Sequence, residues 1–259
     1  MPRFAANLSF LFPELAFLDR FEAAAKAGFK AVEFTFAYEH PPEEIAARLK
    51  GNGLTQVLLN LPPGDGAKGE RGLAALPGRE ADFEAALAKG LALARATDCA
   101  MVHAMAGLRQ HGAERKTYVA NLKKAARIAA DQGVGVIIEP LNQRDNPGYF
   151  LSHCEDARSV IHEVADPNLG LQFDLYHRQI MDGDTATAIA EFGHLARHYQ
   201  CANPPDRAEP DDGEMNYAYL FELIDQAGYK GFMGCEYRPR GDTLEGLARW
   251  TAACGVTLS

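Results

Sequence analysis

The sequence predicts an α/β fold, and specifically a (β/α)8 barrel formed as a single domain over residues 1–259. Short apolar segments alternate with longer amphipathic segments along the whole chain, as strands alternate with helices in parallel α/β proteins. Eight such pairs can be counted, and the length of 259 residues fits the roughly 250 typical of this barrel. No linker-like or low-complexity segment divides the chain. An open doubly wound sheet is the alternative, because alternation alone does not show that the sheet closes.

In the first half of the chain, each predicted helix is followed closely by a predicted strand. The helix at 14–27 places Leu18, Phe21 and Ala25 on one face, and Gly28 follows as its stop. The helix at 80–96 repeats apolar residues every four positions, beginning at Phe83. Strands are predicted over residues 4–10, 31–36, 56–61 and 100–105, and helices over 14–27, 42–49, 80–96 and 114–132.

The second half continues the same alternation. Its most unusual strand is LGLQFD, an apolar run that looks suited to burial and yet ends in Asp174. Strands are predicted over residues 135–140, 169–174, 198–202 and 231–237, and helices over 154–164, 185–195, 216–227 and 243–252.

Composition and charge argue against several classes of protein. The formal net charge of −9 and the pI near 5.4 leave no basic excess to neutralise a phosphate backbone, so we expect no nucleic-acid partner. No apolar run approaches about 18 residues and the N-terminus lacks the layout of a signal peptide, so we expect no membrane association. The five cysteines contain no C-x-x-C pair, which argues against a disulfide framework or a zinc site and favours a reducing cytoplasm.

Polar residues end four of the predicted strands in the second half of the chain. They are Glu139, Asp174, Gln200 and Glu236, each about one βα unit from the next. The carboxyl ends of barrel strands form one face, where active sites lie, so these four side chains should converge. Three converging carboxylates repel one another unless a cation lies among them. The all-oxygen set suits Mg²⁺ or Mn²⁺ better than Zn²⁺, and we expect such a divalent metal as cofactor.

Each of these residues also has an ordinary structural explanation when it is considered alone. Asp174 could cap the next helix, Gln200 could form a hydrogen bond at the barrel end, and either glutamate could pair with a lysine. Four separate structural explanations at successive strands account for the pattern less well than a single metal site that uses all four residues.

Three further residues are candidates for binding a substrate. His177 follows Asp174 in the predicted βα loop and could donate to a substrate oxygen. Arg207, in the loop after Gln200, has the fork geometry for a carboxylate. His103, near the end of the fourth strand, is a weaker candidate. A solvated histidine or an ordinary surface arginine is the alternative in each case.

One nucleotide-binding motif can be set aside. Residues 64–69 match G-x-G-x-x-G after a strand, but no helix is predicted to start within the loop and Pro77 follows soon after. We interpret the segment as a mobile loop over the barrel mouth.

The sequence resembles the hydroxypyruvate isomerase family within the xylose-isomerase-like TIM barrels. The resemblance covers nearly the whole chain and is carried by FAANLSFLFPELAFLDRFEAAAKAGFKAVEF, VLLNLPPGD, GERG, IIEPLN, FDLYHRQIMDG, EPDDGEMNY and GCEYRPRGDT. It implies a metal ligand set of Glu139, Asp174, Gln200 and Glu236, with Glu139 and Glu236 also forming the proton-transfer pair. Gly66 and Ala208 depart from the family, which often has Trp and His there, and both lie in loops expected near the substrate.

The resemblance implies interconversion of hydroxypyruvate and 2-hydroxy-3-oxopropanoate (tartronate semialdehyde) in glyoxylate metabolism, through an enediolate that a divalent ion would stabilise. The partner is then a small hydroxy or keto acid. Isomerisation of a four-carbon 2-oxo-tetronate and sugar epimerisation remain alternatives. Metal-dependent endonuclease-type hydrolysis is disfavoured by the acidic charge, and a non-catalytic binding protein would not need paired glutamates. A homo-oligomer is compatible with the sequence, which does not set the oligomeric state.

Overall fold

The computed structural model describes residues 1–258, and in it eight parallel strands close into a barrel. Each strand pairs with the next along the chain, and the first pairs with the last, with Arg3 opposite Phe232 and Ala6 opposite Cys235. Closure confirms the predicted (β/α)8 barrel and excludes the open doubly wound sheet. The strands are β1 Arg3–Asn7, β2 Ala31–Phe34, β3 Thr55–Asn60, β4 Met101–His103, β5 Gly135–Ile138, β6 Leu169–Asp174, β7 Ala196–Cys201 and β8 Phe232–Cys235.

Nine α-helices lie between and after these strands within residues 1–258. They are α1 Arg20–Lys26, α2 Pro42–Gly51, α3 Glu80–Thr97, α4 Arg115–Ala130, α5 Cys154–Val164, α6 Leu175–Met181, α7 Thr185–Phe192, α8 Tyr217–Gln226 and α9 Thr243–Cys254. Short 3-10 turns occur at Phe17–Asp19, Gly66–Lys68 and Arg109–His111. Every one of these helices is too short or too polar to cross a membrane.

The main hydrophobic core lies between the strands and the surrounding helices. Aromatic residues join β1 to the last two helices, since the Phe4 ring lies 5.1 Å from Phe221 and 5.4 Å from Trp250, both in edge contacts. The indole N–H of Trp250 donates to the Tyr237 hydroxyl at 3.0 Å, so its polar atom is satisfied although the side chain is fully buried. The end of the chain is thereby packed against its beginning.

The first helix is shorter than the sequence predicts. The prediction of a helix at 14–27 is wrong at its start, because α1 begins only at Arg20 and a 3-10 turn precedes it. Ala16 is extended, with φ −61° and ψ 146°, which interrupts any helix from residue 14. The Arg20 side chain instead donates to the carbonyls of Leu8 and Leu15, at 2.8 and 3.0 Å, and fastens this segment beside β1.

A helix also follows β6 directly, where the sequence predicts a loop. The side chain of Asp174 accepts a hydrogen bond at 2.8 Å from the backbone N–H of Tyr176, which is the usual way to begin a helix. His177 therefore lies in α6 and not in a βα loop, and its buried ring has a fixed position relative to β6.

Candidate active site

Three buried carboxylates and a histidine meet at the carboxyl ends of the strands. Glu139, Asp174, His177 and Glu236 each offer a ligand atom, and these atoms all lie within 4.8 Å of one another. Asp174 is the last residue of β6, while Glu139 and Glu236 directly follow β5 and β8. The structure thus brings three of the four predicted metal ligands together and places one of the predicted substrate-binding residues, His177, beside them.

The carboxylates have free oxygens that suit a cation. Oδ1 of Asp174 caps α6, whereas Oδ2 has no hydrogen-bond partner among residues 1–258, and Oε1 of Glu139 has none either. A buried anionic oxygen without a donor is costly unless a cation or a proton compensates it. The cluster therefore fits a divalent ion such as Mg²⁺ or Mn²⁺, which prefers oxygen ligands.

Gln200, the fourth predicted ligand, lies next to this cluster in a network of its own. It is the register partner of Asp174 across β6 and β7, and it is buried. Its amide nitrogen donates to Glu33 at 2.7 Å, and its amide oxygen accepts from Gln172 at 2.6 Å. A carbonyl oxygen has a second lone pair, so a ligand role for Gln200 is compatible with this position and stays a prediction.

Arg207 contacts the protein's own carboxylates. Its guanidinium donates to Oε2 of Glu236 and lies 3.6 Å from Oδ2 of Asp174. The side chain lies between the rings of Phe10 and Tyr176, at 4.8 and 5.0 Å from their centres. Its backbone φ of 56° is unusual for a residue other than glycine, and the flanking contacts must stabilise it. Arg207 is thus in the site as predicted, but it is paired with protein carboxylates.

Burial gives the two glutamates unusual proton affinity. Burial, together with the charge of Asp174 and against the opposing charge of Arg207, raises the pKa of Glu236 to about 8. Burial and the charges of Glu236 and Asp174 raise the pKa of Glu139 well above its ordinary value. A carboxyl group with a pKa near 8, such as Glu236, can exchange a proton near neutral pH.

Both candidate histidines are buried and neutral. The backbone N–H of Asn142 donates to Nδ1 of His177 at 3.1 Å, which assigns the ring proton to Nε2. That Nε2 faces the cluster, 3.5 Å from Oδ2 of Asp174 and 3.9 Å from Oε1 of Glu139. Burial, reinforced by Arg207 and His103, lowers the pKa of His177 well below its ordinary value. Burial lowers the pKa of His103 to about 3, and its Nδ1 lies 3.5 Å from Glu139.

A cavity of about 140 Å³ opens beside the cluster, a size suited to a molecule of a few carbon atoms. Glu139, His177, Arg207 and Glu236 line its floor. The remaining wall is mixed, with apolar side chains such as Phe10, Phe36 and Met105 and amides from Asn60 and Asn146.

Residues 21–254 match the family model described as "Xylose isomerase-like TIM barrel". The chain belongs to this family. That assignment confirms the resemblance carried by the sequence motifs, and it agrees with the closed barrel and with a site at the carboxyl ends of its strands.

Two similar proteins carry the names of isomerases. The 2-oxo-tetronate isomerase of Cupriavidus necator is 54% identical over 255 residues, covering 95% of this chain and 96% of the relative. The hydroxypyruvate isomerase of Escherichia coli K12 is 41% identical, covering 96% of this chain and 98% of the relative. A crystal structure from Brucella melitensis, described as "AP endonuclease, family 2", is 50% identical with a TM-score of 0.94, covering 97% of this chain and 98% of that one.

Sequence reasoning missed one charged residue of this xylose isomerase-like barrel. Glu33 of β2 is completely buried and accepts hydrogen bonds from Asn7, His198 and Gln200. Asn7 also donates to Glu236 at 3.2 Å, so its side-chain amide links Glu33 to the carboxylate cluster. The available clue was a glutamate inside the apolar strand AVEF, the same kind of clue that marked Asp174.

The glycine-rich loop at residues 64–69 contains a single 3-10 turn, at Gly66–Lys68, which the sequence did not predict. The Asp65 side chain accepts from the backbone N–H of Ala67 at 2.9 Å and begins that turn, as Asp174 begins α6. A turn of three residues lacks the helix N-terminus on which a dinucleotide pyrophosphate would rest, in agreement with setting the motif aside.

Proposed function

We propose that the protein is a metal-dependent isomerase that interconverts hydroxypyruvate and 2-hydroxy-3-oxopropanoate by proton transfer through an enediolate. The observation that carries the proposal is the pair of buried glutamates, Glu139 and Glu236, which meet Asp174 and His177 beside a cavity of about 140 Å³. The isomerase names of relatives at 41% and 54% identity support the reaction class.

A four-carbon substrate is the second candidate. It is supported by the 54% identity to a relative named 2-oxo-tetronate isomerase, which covers nearly the whole of both chains. The chemistry is the same for both substrates, because each requires the removal of a proton beside a carbonyl and its return to the neighbouring carbon. The two substrates differ by one carbon. Whether the longer one fits depends on the space beside Phe36, Met105 and Asn60, which line the cavity.

A divalent ion, Mg²⁺ or Mn²⁺, would be bound by Glu139, Asp174, Gln200 and Glu236. The unpartnered oxygens of Glu139 and Asp174 support this assignment. When bound, such an ion supplies a positive charge that stabilises the enediolate. It would also relieve the repulsion among the carboxylates, which contributes to their raised pKa values.

The side chains would divide the proton transfer between them. One of the paired glutamates takes the proton from the hydroxyl-bearing substrate carbon, and one of them returns it to the adjacent carbon, with the roles reversed in the other direction. The proton of the first carbon's hydroxyl group is transferred to the oxygen of the second carbon, so that the carbonyl changes place. Arg207 donates to Glu236 and so fixes the orientation of that carboxylate. His177, with its proton on Nε2, can donate to a substrate oxygen on which negative charge develops.

A small acid fits this site better than a nucleic acid does. The relative described as an endonuclease raises that alternative, but the formal net charge of −9 disfavours binding to a phosphate backbone. We therefore propose a small-molecule partner.

The decisive experiment replaces Glu236 by glutamine and follows hydrogen exchange between substrate and deuterated solvent by NMR. General acid–base catalysis contributes about 10² to 10⁴-fold, so Glu236→Gln should slow exchange by an amount in that range. Glu245→Gln, at an exposed position of α9, is the matched control and should exchange at the wild-type rate.

Chelation provides the second arm of this test. Wild-type protein treated with EDTA should lose exchange and recover it with Mg²⁺ or Mn²⁺. Exchange that survives chelation would overturn the metal dependence, and exchange unchanged in Glu236→Gln would remove Glu236 from proton transfer. Rates measured in parallel on hydroxypyruvate and on a four-carbon oxo acid separate the two substrate candidates.

A further inference from the structure

Arg71 lies in a firmly anchored segment and donates to Asn146, a residue that lines the cavity. On one side, the buried Glu70 pairs with Arg79 and accepts from the backbone N–H of Asp65 at 2.6 Å. On the other side, Gly72 forms a β-bridge with Ala106. The backbone on both sides of Arg71 is therefore fixed, although the side chain itself is exposed.

The glycine after Arg71 permits a close approach to the site. Gly72 has a φ of 113°, and a Cβ there would lie 2.3 Å from the carbonyl oxygen of Met105. Met105 lines the cavity, so the loop is pressed directly against the cavity wall. This contact holds the residue next to Arg71 against the cavity wall.

The guanidinium of Arg71 has no carboxylate partner among the described residues. Its Nη1 donates to Oδ1 of Asn146, and Asn146 lines the cavity. Arg207, by contrast, already contacts Glu236 and Asp174. Arg71 is therefore a cation that is hydrogen-bonded to a residue of the cavity wall. Its remaining N–H groups are available to a ligand.

The proposed substrates create a need for such a cation. Each carries a carboxylate that takes no part in proton transfer, and it must enter a cavity beside Glu139, Asp174 and Glu236. The divalent ion proposed above would offset the charge of these residues, and a further positive group would bind the substrate carboxylate itself. A guanidinium can bind a carboxylate through two parallel hydrogen bonds, which fix its orientation as well as its position.

We propose that Arg71 binds the substrate carboxylate, with Asn146 orienting the guanidinium toward the cavity. The inference rests on the proposed oxo-acid isomerase function and specifies its substrate class. In this arrangement Arg207 organises the protein carboxylates, while Arg71 distinguishes acids from uncharged sugars of similar size.

The experiment compares Arg71→Met with Lys68→Met, which removes an exposed cation of the same loop that pairs with Asp65 at 3.3 Å. A hydrogen bond between charged groups is usually worth about ten- to a hundredfold in binding, so KM for hydroxypyruvate should rise by that factor in Arg71→Met. We expect a smaller change in kcat, partial rescue in Arg71→Lys, and no change in Lys68→Met.

An uncharged analogue tests selectivity. Dihydroxyacetone has a hydroxymethyl group in place of the carboxylate of hydroxypyruvate. The Arg71→Met variant should therefore catalyse exchange of the carbon-bound hydrogens of dihydroxyacetone with solvent at the wild-type rate. The preference of the enzyme for hydroxypyruvate over dihydroxyacetone should fall accordingly. An equal loss on both compounds, or an unchanged KM for hydroxypyruvate, would overturn the assignment.

Direct binding separates this inference from the proposed function. D-Glycerate carries the same carboxylate but has no carbonyl to isomerise, and its affinity can be measured by calorimetry without turnover. A tenfold or greater loss of D-glycerate affinity in Arg71→Met supports the carboxylate site even if the wild type isomerises neither oxo acid. Equal affinity in wild type and Arg71→Met would refute the site even if the isomerase activity is confirmed.

Discussion

Glu33 is the residue on which the buried polar network of the barrel depends. It accepts from Asn7 at 2.9 Å, from Gln200 at 2.7 Å and from His198. Gly234 makes room for it, because a Cβ at that position would lie 2.2 Å from a carboxylate oxygen of Glu33. A carboxylate is only an acceptor, so Glu33 fixes which end of the Gln200 amide is the nitrogen. The amide oxygen is then directed away from Glu33.

We therefore expect Glu33→Gln to weaken metal binding although it replaces none of the proposed ligands. A glutamine can both donate and accept, so the orientation of the Gln200 amide would no longer be unique. Changes behind a ligand typically reduce metal affinity about 10- to 100-fold, and calorimetric titration with Mn²⁺ should show a loss in that range. Glu43→Gln, at an exposed position of α2, is the control. Equal Mn²⁺ affinity in Glu33→Gln and wild type would show that Gln200 does not depend on Glu33.

The positions of the predicted site residues could be inferred from sequence only where the strand pattern determined them. Glu139, Asp174 and Glu236 could be predicted because they end or follow apolar strands, and barrel geometry brings such positions together. The apolar strand AVEF marked Glu33 as a buried charge, but its hydrogen bonds could not be predicted, because they come from partners on β1 and β7. The pairing of Arg207 with carboxylates was likewise invisible, since it depends on a loop conformation with positive φ.

Among the elements, α6 shows how one side chain can serve both the fold and the site. Asp174 caps the helix with Oδ1 and leaves Oδ2 free toward the cluster. The cap interpretation and the ligand interpretation of this residue are therefore compatible. The sequence did not predict α6, because its seven residues follow β6 without any turn residue between them. The late start of α1 had a different cause, namely the side-chain contacts of Arg20.

Two substitutions should separate these two roles of Asp174. Asp174→Asn keeps an oxygen for the Tyr176 N–H and removes one buried charge, so its metal-free melting temperature should be no lower than that of wild type. Asp174→Ala loses the cap and should be less stable than Asp174→Asn by about 1 kcal/mol. Both should lose Mn²⁺ affinity. Differential scanning calorimetry with EDTA provides the measurement, and equal stability of the two variants would argue against the cap.

At the scale of the whole molecule, the barrel encloses more negative than positive charge. Glu33, Glu139, Asp174 and Glu236 are all buried, and Arg207 is the guanidinium that faces them within the described chain. The alternation of strands and helices followed from the residue pattern, whereas closure, which depends on the pairing of β1 with β8, was predicted from the chain length and the family resemblance together. The consequence of that closure is a buried cluster, in which protons or a cation must balance the carboxylates.

Stability of the metal-free protein should therefore depend on pH through Glu236. Burial raises its folded-state pKa from the ordinary value of 4.5 to about 8. Between these values the folded state holds a proton that the unfolded chain has released, so the stabilisation is complete below 4.5 and is lost as the pH rises through 8. One such group contributes a slope of about −1.4 kcal/mol per pH unit to the free energy of unfolding.

Urea unfolding in EDTA at several pH values between 5 and 8 measures this slope. Glu236→Gln cannot ionise, so its free energy of unfolding should fall less steeply with pH than that of wild type, by about 1.4 kcal/mol per pH unit. Glu245→Gln should follow the wild-type slope, because its side chain is exposed. Saturating Mg²⁺ should flatten the wild-type profile, since a bound cation stabilises the ionised carboxylates that the metal-free barrel disfavours. Parallel profiles for wild type and Glu236→Gln would mean that Glu236 ionises freely inside the metal-free barrel.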